Sequence, residues 1–388
     1  MSWKGEDLNR RIRGVIVSTH DSLYPNYGGG ALRTIKIAEE CKRQGLHVLI
    51  VAPARTDEIS GIKVHWLHAP VKHRSQIYSA IKFNVRILRK FLQYINQIDM
   101  YFVHNTIAAV SLPIIKKLFK RRFSLDITDI HVEYLPIGKR SIFEKKITPL
   151  LFWIEYWIIK SADSITVATH AMRDHLIGKG IKPDKIEVVY DGADYQNYNP
   201  EKEPGADKNI IHLGTIDRQH GVEYLVQTIP LVISKHPDTK FYIVGGGREF
   251  ENVVEHAKKL GVYEHCIFTG YLPTEQARTY LKKCGIGVIP RADNAANRIV
   301  TTLKIYEYWA SGTAVVSSRL AGVEEIGTEH KDILFFEPSN VKDFANKINH
   351  LLEKANVVRS FQENGLRKVK TFNWPIQVKK IVDFALEC

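Results

Sequence analysis

Residues Thr301–Ser318 read TTLKIYEYWASGTAVVSS. Two hydroxyl residues, Thr301 and Thr302, stand before a run with helical spacing. Lys304 falls in its first turn, Glu307 one turn later, and Gly312 stops it ahead of an apolar, β-branched strand pattern. A helix that ends at a glycine and leads into a near-continuous apolar strand is one half-step of an α/β alternation, whose strands are buried on both faces. Chemically, hydroxyls and free amides at a helix start suit a diphosphate, and a carboxylate one turn later can accept two ribose hydroxyls. A capped surface helix with a Lys–Glu pair fits the same residues.

The alternation extends in both directions. Strands are expected at Ile12–Ser18, His47–Val51, Met100–His104, Phe123–Ile127, Ser164–Ala168 and Ile186–Tyr190. A polar stretch with two prolines, Tyr198–Asn209, reads as a linker. Beyond it come Ile210–Gly214, Lys240–Gly245, Cys266–Gly270, Gly285–Pro290, Thr313–Ser318 and Ile333–Glu337. A chain of 388 residues is too long for one ordinary core. Two doubly wound α/β domains follow, with ligands at the carboxyl ends of the strands and the working site in a cleft between the domains.

A second stretch, PNYGGGALRTIKIAEE (Pro25–Glu40), places Gly28, Gly29 and Gly30 at the mouth of a helix. It does not complete GxGxxG, because Arg33 occupies the third glycine position. The next strand, HVLIVAP, ends at Pro53 with no acidic residue. GxxxxGK[ST] is absent as well. What remains is a helix start that favours an anion, or a plain tight turn.

Lys and Arg total 55 against 42 acids, a net charge of +13. Lys63–Arg122 holds 12 of the cations and one acid, so it supplies +11 (12 − 1). Within it Ile77, Ile81, Val85, Leu88, Leu92 and Ile95 recur at helical spacing, with Lys82, Arg86, Arg89 and Lys90 mostly off that face. Either this is a core-packed helix with a solvated basic side, or a surface that docks on anionic lipid. Interleaved base-stacking aromatics are missing, so nucleic acid is not expected as a partner. The four cysteines are scattered without metal spacing and read as reduced thiols of a cytoplasmic protein. The N-terminus has no secretory signal pattern. The apolar window Ile147–Ile159 carries Glu155 and falls short of the ~20 residues that cross a bilayer.

Taken in order, these pieces resemble glycosyltransferase family 4, the retaining, group 1 type sugar-nucleotide enzymes with the GT-B fold. The glycine loop with its helix and strand, DMYFVHN (Asp99–Asn105), HLGTIDRQHGVEYLVQTI (His212–Ile229), FYIVGGGRE (Phe241–Glu249), FTGYLP (Phe268–Pro273), LKIYEYWASGTAVVSS and AGVEEIG (Ala321–Gly327) carry the likeness nearly end to end. The resemblance implies two Rossmann-like domains facing an interdomain cleft. Residues 1–200 would bind the acceptor and 201–371 the donor, with a C-terminal helix, 372–388, crossing back to the first domain. It further implies transfer of a hexose from a UDP- or GDP-linked donor to a lipid-linked or saccharide acceptor. The protein would act at the cytoplasmic face of a membrane, without metal or other cofactor. His104 would be the cleft histidine, and Asp129 and His131 would lie near the acceptor. Arg218 and Lys304 would hold the diphosphate, and Arg298 is a further cation. Gly28–Gly30, Gly214, Thr215, Gly246, Thr301, Thr302, Leu303 and Glu307 would complete the nucleotide-sugar site. Lys82, Arg86, Arg89 and Lys90 would form the membrane or acceptor surface.

Three departures stand out. Ile299 replaces the first of the family's paired glutamates, Thr215 and His220 stand where Arg and Lys commonly hold the diphosphate, and Thr128 replaces a frequent histidine. A GT-B sugar-nucleotide epimerase and a catalytically weakened sugar-nucleotide-binding protein are the alternative readings.

Overall fold

A computed structural model describes residues 13–23, 28–67, 76–134 and 142–388. The expectations for the N-terminal dozen residues and for Pro25–Tyr27 lie outside the described residues. The chain forms two compact units, Met1–Tyr190 with Pro375–Cys388, and Asp191–Trp374. The division falls directly after the last strand of the first unit, ahead of the polar linker at 198–209, because Asp191 to Asn209 pack with the second unit. The terminal segment returns at Pro375. There Gln44 donates to Asp383 (2.8 Å) and Arg122 to the Ala385 carbonyl (2.9 Å).

The first unit is built on β1 (Gly14–Thr19), β2 (His47–Pro53), β3 (Glu58–Ile59), β4 (Ile62–Leu67), β5 (Met100–His104), β6 (Arg122–Ile127), β7 (Ser164–Val167) and β8 (Ile186–Val188). They pair in the order β3-β4-β2-β1-β5-β6-β7-β8, parallel throughout except for β3 against β4. Both β3 and β4 went unread in the sequence, since their alternating, charged residues lack the apolar run of a central strand. Steps β4→β5, β5→β6 and β6→β7 run one way across the sheet. Right-handed crossovers therefore put helices Gln76–Gln93, Leu112–Phe119 and Ile142–Ser161 on one face. The step β1→β2 runs the other way and puts helix Gly29–Arg43 on the opposite face.

Helix Gln76–Gln93 decides between core and surface for its expected apolar stripe. Phe83, Ile87 and Phe91 are its buried residues, whereas Ile81, Val85 and Leu92 point to solvent. The helix carries two apolar stripes, and the one with the larger aromatic area takes the core.

The second unit contains β9 (Ile210–Leu213), β10 (Phe241–Val244), β11 (Cys266–Gly270), β12 (Ile286–Ile289), β13 (Ala314–Ser318) and β14 (Ile333–Phe336). All are parallel, in the order β11-β10-β9-β12-β13-β14. Each sheet therefore has one point where strand order reverses, beside β1 and β5 in the first unit and beside β9 and β12 in the second. Ligands of open α/β sheets bind at such points.

One buried ion pair ties the first unit together. Arg33, fully buried in helix Gly29–Arg43, donates to both carboxylate oxygens of Asp126 in β6 (2.7 and 2.8 Å). It also donates to the Val189 and Tyr190 carbonyls (3.0 and 3.2 Å), where the chain leaves β8. Removing one partner of a buried pair strands the other charge, at a cost of about 3–5 kcal/mol. Arg33→Met should lose that much stability in urea unfolding, and a loss below about 1 kcal/mol would show that the pair is dispensable.

Candidate active site

At the reversal point of the first sheet, strand register aligns Thr19, His104, Asp126 and Thr166 in one row. Asp126 accepts from His104 Nδ1 (2.9 Å) and Thr166 Oγ1 (2.7 Å) in addition to Arg33. Burial alone would raise its pKa; the charge of Arg33 and the bonds from His104 and Arg33 outweigh that and hold it well below the ordinary carboxylate range. An ionised acceptor at Nδ1 makes that nitrogen the donor. Nε2 then faces Asn105 Nδ2 (3.2 Å) and Thr128 Oγ1 (3.3 Å), with Asp21 at 3.9 Å. Thr128 thus occupies the position of the missing histidine as a hydroxyl beside His104.

Three further groups gather there. The His20 and His131 rings meet edge to face at 4.9 Å. Burial lowers the His20 pKa to about 4 against the pull of Asp21. For His131 burial also opposes the charge, but Glu155 and Asp129 outweigh it and raise the pKa. Asp21 is held below its usual value because His20, His104 and His131 overcome its desolvation. Asp129 accepts from the Tyr134 hydroxyl (2.7 Å) and its amide donates to Asn105 (3.2 Å), so its carboxylate is pinned beside His104 and Thr128. Glu155, the acid inside the apolar window, is buried. It caps the turn at His131–Tyr134 by accepting from the amides of His131 and Val132 and from the Thr106 hydroxyl.

The glycine helix start closes on this group. A Cβ at Gly30 would stand 2.5 Å from both His104 Nε2 and Asp21 Oδ2, so only glycine fits. Gly28 is the N-cap, with no side-chain cap, and its neighbour Gly29 opens the helix.

In the second unit the reversal point is lined from β9 and β12. Gly214 follows β9 with φ +126°, and a Cβ there would meet Lys304 Cε at 2.9 Å. Lys304, in the first turn of helix Leu303–Ala310, is half-buried, and among the described residues no carboxylate lies within ion-pair distance of it. Burial, with repulsion from Arg291, lowers its pKa to about 8, against a pull from Glu307. Arg291 follows β12; one guanidinium nitrogen donates to the Thr301 carbonyl (3.1 Å) while Nε has no partner. The buried Thr301 hydroxyl and His220 Nδ1 are also unpartnered. Burial and the neighbouring Lys304 bring the His212 pKa down to about 3 and the His220 pKa well below its usual value, so neither adds positive charge. Two cations with idle donors, beside a helix start whose N-cap residue, Thr302, makes no side-chain cap, form a candidate anion cradle.

The remaining cations read from the sequence lie elsewhere. Arg218 is 60% exposed and pairs with Glu249 (3.1 Å), next to an Asp217–Arg248 pair that laces the β9 and β10 loops together. Arg298 pairs with Asp293 in the open (2.6 Å). Thr215 is exposed beside Gly214, and the Tyr271 ring, 71% exposed, lies against Gly246. Glu307 accepts from the Tyr198 hydroxyl (2.8 Å). Arg291, Tyr271 and Tyr198 escaped sequence reading. The usable signal for Arg291 is its place as the first charged residue after a buried strand beside the reversal point.

Two family models cover most of the chain, Glycosyltransferase Family 4 over residues 27–197 and Glycosyl transferases group 1 over 207–354. The chain belongs to glycosyltransferase family 4. An uncharacterised glycosyltransferase of Methanocaldococcus jannaschii is 22% identical, over 90% of this chain and 92% of its own. For two other curated relatives, a D-inositol 3-phosphate glycosyltransferase and a glycogen synthase, the match spans only a little over half of their length. Sucrose-phosphate synthase of Thermosynechococcus elongatus superimposes with a TM-score of 0.78 at 16% identity, over 96% of this chain and 98% of that one. Anabaena HepE in complex with UDP and glucose does so with a TM-score of 0.76 at 15% identity, over 97% and 100%. The two parallel-sheet units constitute the GT-B fold, and the protein is a glycosyltransferase of GT-B type.

Lys304 gives the cradle a pH signature. With its pKa lowered to about 8, the amine should be largely neutral in the free protein at pH 9, and a diphosphate bound beside it should restore the proton. Calorimetry of UDP binding at pH 9 in buffers of different ionisation enthalpy should show proton uptake in the native protein and none in Lys304→Met. Equal uptake by both would place the proton elsewhere.

Proposed function

We propose that the protein is a retaining hexosyltransferase that uses a UDP- or GDP-linked sugar and a lipid-linked or saccharide acceptor at a membrane surface. The observation that carries this is the cradle of Lys304 and Arg291, two cations with no carboxylate partner among the described residues, at the point where the second sheet reverses. In the reaction the bond from the anomeric carbon to the diphosphate breaks. The acceptor oxygen bonds to the same face of that carbon, and a departing phosphate oxygen takes the acceptor proton. Negative charge grows on the diphosphate, so prealigned cations and amides lower the barrier. Lys304, Arg291, the Thr301–Leu303 helix start and the amides around Gly214, Thr215 and Gly246 fill that role. With charge supplied by side chains, no metal is required.

Glu307 would hold the ribose and Tyr271 would stack on the base. In the first unit Asp129 and His131 would orient the acceptor hydroxyl, and His104, fixed by Asp126, would contact the sugar. Gly28–Gly30 would add amide contacts to phosphate. Arg218 would act only after releasing Glu249, and Arg298 after releasing Asp293.

The membrane part of the proposal rests on three helices of one sheet face. They expose Ile81, Val85 and Leu92, then Ile114, Leu118 (68%) and Phe119, then Leu150 and Trp153 (63%). Lys82, Arg86, Arg89 and Lys90 lie among them, and the described carboxylate of these helices, Glu155, is buried. Apolar side chains amid cations fit an anionic lipid leaflet. No helix among the described residues is long and apolar enough to cross a membrane.

Turnover of a nucleotide-sugar panel, with the product anomer read by NMR, tests the chemistry. One donor should be consumed with retained configuration and in the presence of chelator. Lys304→Met and Arg291→Met should each lower kcat about 100-fold or more, and Arg218→Ala less. Inverted product or strict metal dependence would refute the mechanism.

For the membrane, each Lys or Arg near an anionic surface contributes about 1 kcal/mol. Neutralising Lys82, Arg86, Arg89 and Lys90 should weaken anionic vesicle binding by two orders of magnitude or more. Trp153→Ala with Leu118→Ser should weaken it in a salt-independent way. Binding indifferent to both changes would leave this face merely solvated.

A further inference from the structure

Glu307 is the acid in the cradle's helix, and its two carboxylate oxygens are unequally occupied. Oε1 accepts from the Tyr198 hydroxyl at 2.8 Å and lies 3.5 Å from an Arg278 guanidinium nitrogen. Arg278 in turn stacks on the Tyr198 ring, with its guanidinium carbon 4.8 Å from the ring centroid, and its other terminal nitrogen lies 3.4 Å from Glu275. Among the described residues no donor reaches Oε2. All four residues belong to the second unit. Burial and the adjacent Glu307 charge push the Tyr198 phenol far above its ordinary pKa, so it remains a proton donor.

A carboxylate on a flexible side chain rotates, and holding one oxygen by a hydrogen bond and an ion pair restrains the plane in which the other is presented. Such preorganisation lowers the entropy lost on binding. We propose that Tyr198 and Arg278 are positioning residues that clamp Glu307 Oε1, leaving Oε2 aimed at the donor's ribose, and thereby set the preference for ribose over 2′-deoxyribose. The proposal rests on the reading of Glu307 as the ribose contact. A hydroxyl paired with a fixed carboxylate discriminates strongly against the analogue that lacks it, because the carboxylate is then left unpaired.

The test compares affinities for UDP and 2′-deoxy-UDP, and for GDP and 2′-deoxy-GDP, by calorimetry; the tighter-binding pair is read. The native protein should favour the ribonucleotide about tenfold or more. Tyr198→Phe keeps the ring under Arg278 and removes one hydrogen bond. It should cut that ratio about three- to tenfold while 2′-deoxynucleotide affinity stays within twofold. Arg278→Met should move the ratio the same way. An unchanged ratio, equal weakening of both nucleotides, or tighter ribonucleotide binding by Tyr198→Phe would each overturn the clamp; the last would mean that the phenol competes with ribose. Glu307→Gln separates the two levels. A native preference that survives in Glu307→Gln, a native ratio near one, or no binding of either nucleotide would remove Glu307 from the ribose, and the clamp with it.

Discussion

The ion pair between Arg33 and Asp126 fixes the geometry of everything chemical in the first unit. Asp126 lies in a central strand with a neighbour in register on each side, and it spends its oxygens on His104, Thr166 and Arg33. Those bonds join the glycine helix, β5, β6 and β7, and Arg33 adds the carbonyls at the exit of β8. Both charges leave water, a cost that the bidentate geometry and the additional bonds must offset. What the arrangement secures is orientation: the His104 ring cannot turn without giving up its bond to an ionised carboxylate, so Nε2 stays beside Asn105 and Thr128. The Arg33 position also explains why this loop departs from a dinucleotide fingerprint. The third glycine position carries the side chain that anchors the helix to the sheet.

The second unit is organised by the opposite condition, charge left unsatisfied. Lys304 and Arg291 repel each other in a buried place where a carboxylate would relieve both, yet Glu307 makes its bond to Tyr198 instead. Under the proposed function an incoming anion would relieve that repulsion. Gly214 permits it, since any side chain at that position would collide with Lys304.

Much of this was legible in sequence, for identifiable reasons. Lys304 and Glu307 share one short helix, so local spacing places them together. His104 ends an apolar strand and Gly30 opens a helix, and both features are local. Arg291 and Tyr198 are not local: their partners lie in other elements, and only strand order brings them near. Arg218 and Arg298 are visible as cations but not as pairs: Glu249 reaches Arg218 only through tertiary geometry, and Asp293 reaches Arg298 through the local turn into the helix Ala295–Ile299. The apolar stripe of helix Gln76–Gln93 is legible by its period, and of its two readings, core or surface, the structure exposes Ile81, Val85 and Leu92. Periodicity identifies a face but does not say which of two apolar faces the sheet selects.

The excess positive charge therefore has two physically different uses. Arg33 and Arg291 are buried and Lys304 is half-buried, where mobile ions screen them less. The cations of helix Gln76–Gln93 stand in water among exposed aliphatic side chains, and there a Debye length of about 8 Å at physiological salt limits their reach. Donor chemistry should consequently be nearly indifferent to ionic strength while attachment to an anionic surface is not. A net charge of +13 by itself points equally to nucleic acid, lipid or phosphorylated substrate. Burial divides that sum into a part withdrawn from water, where the proposed function places a diphosphate, and an exposed part, where it places a lipid surface.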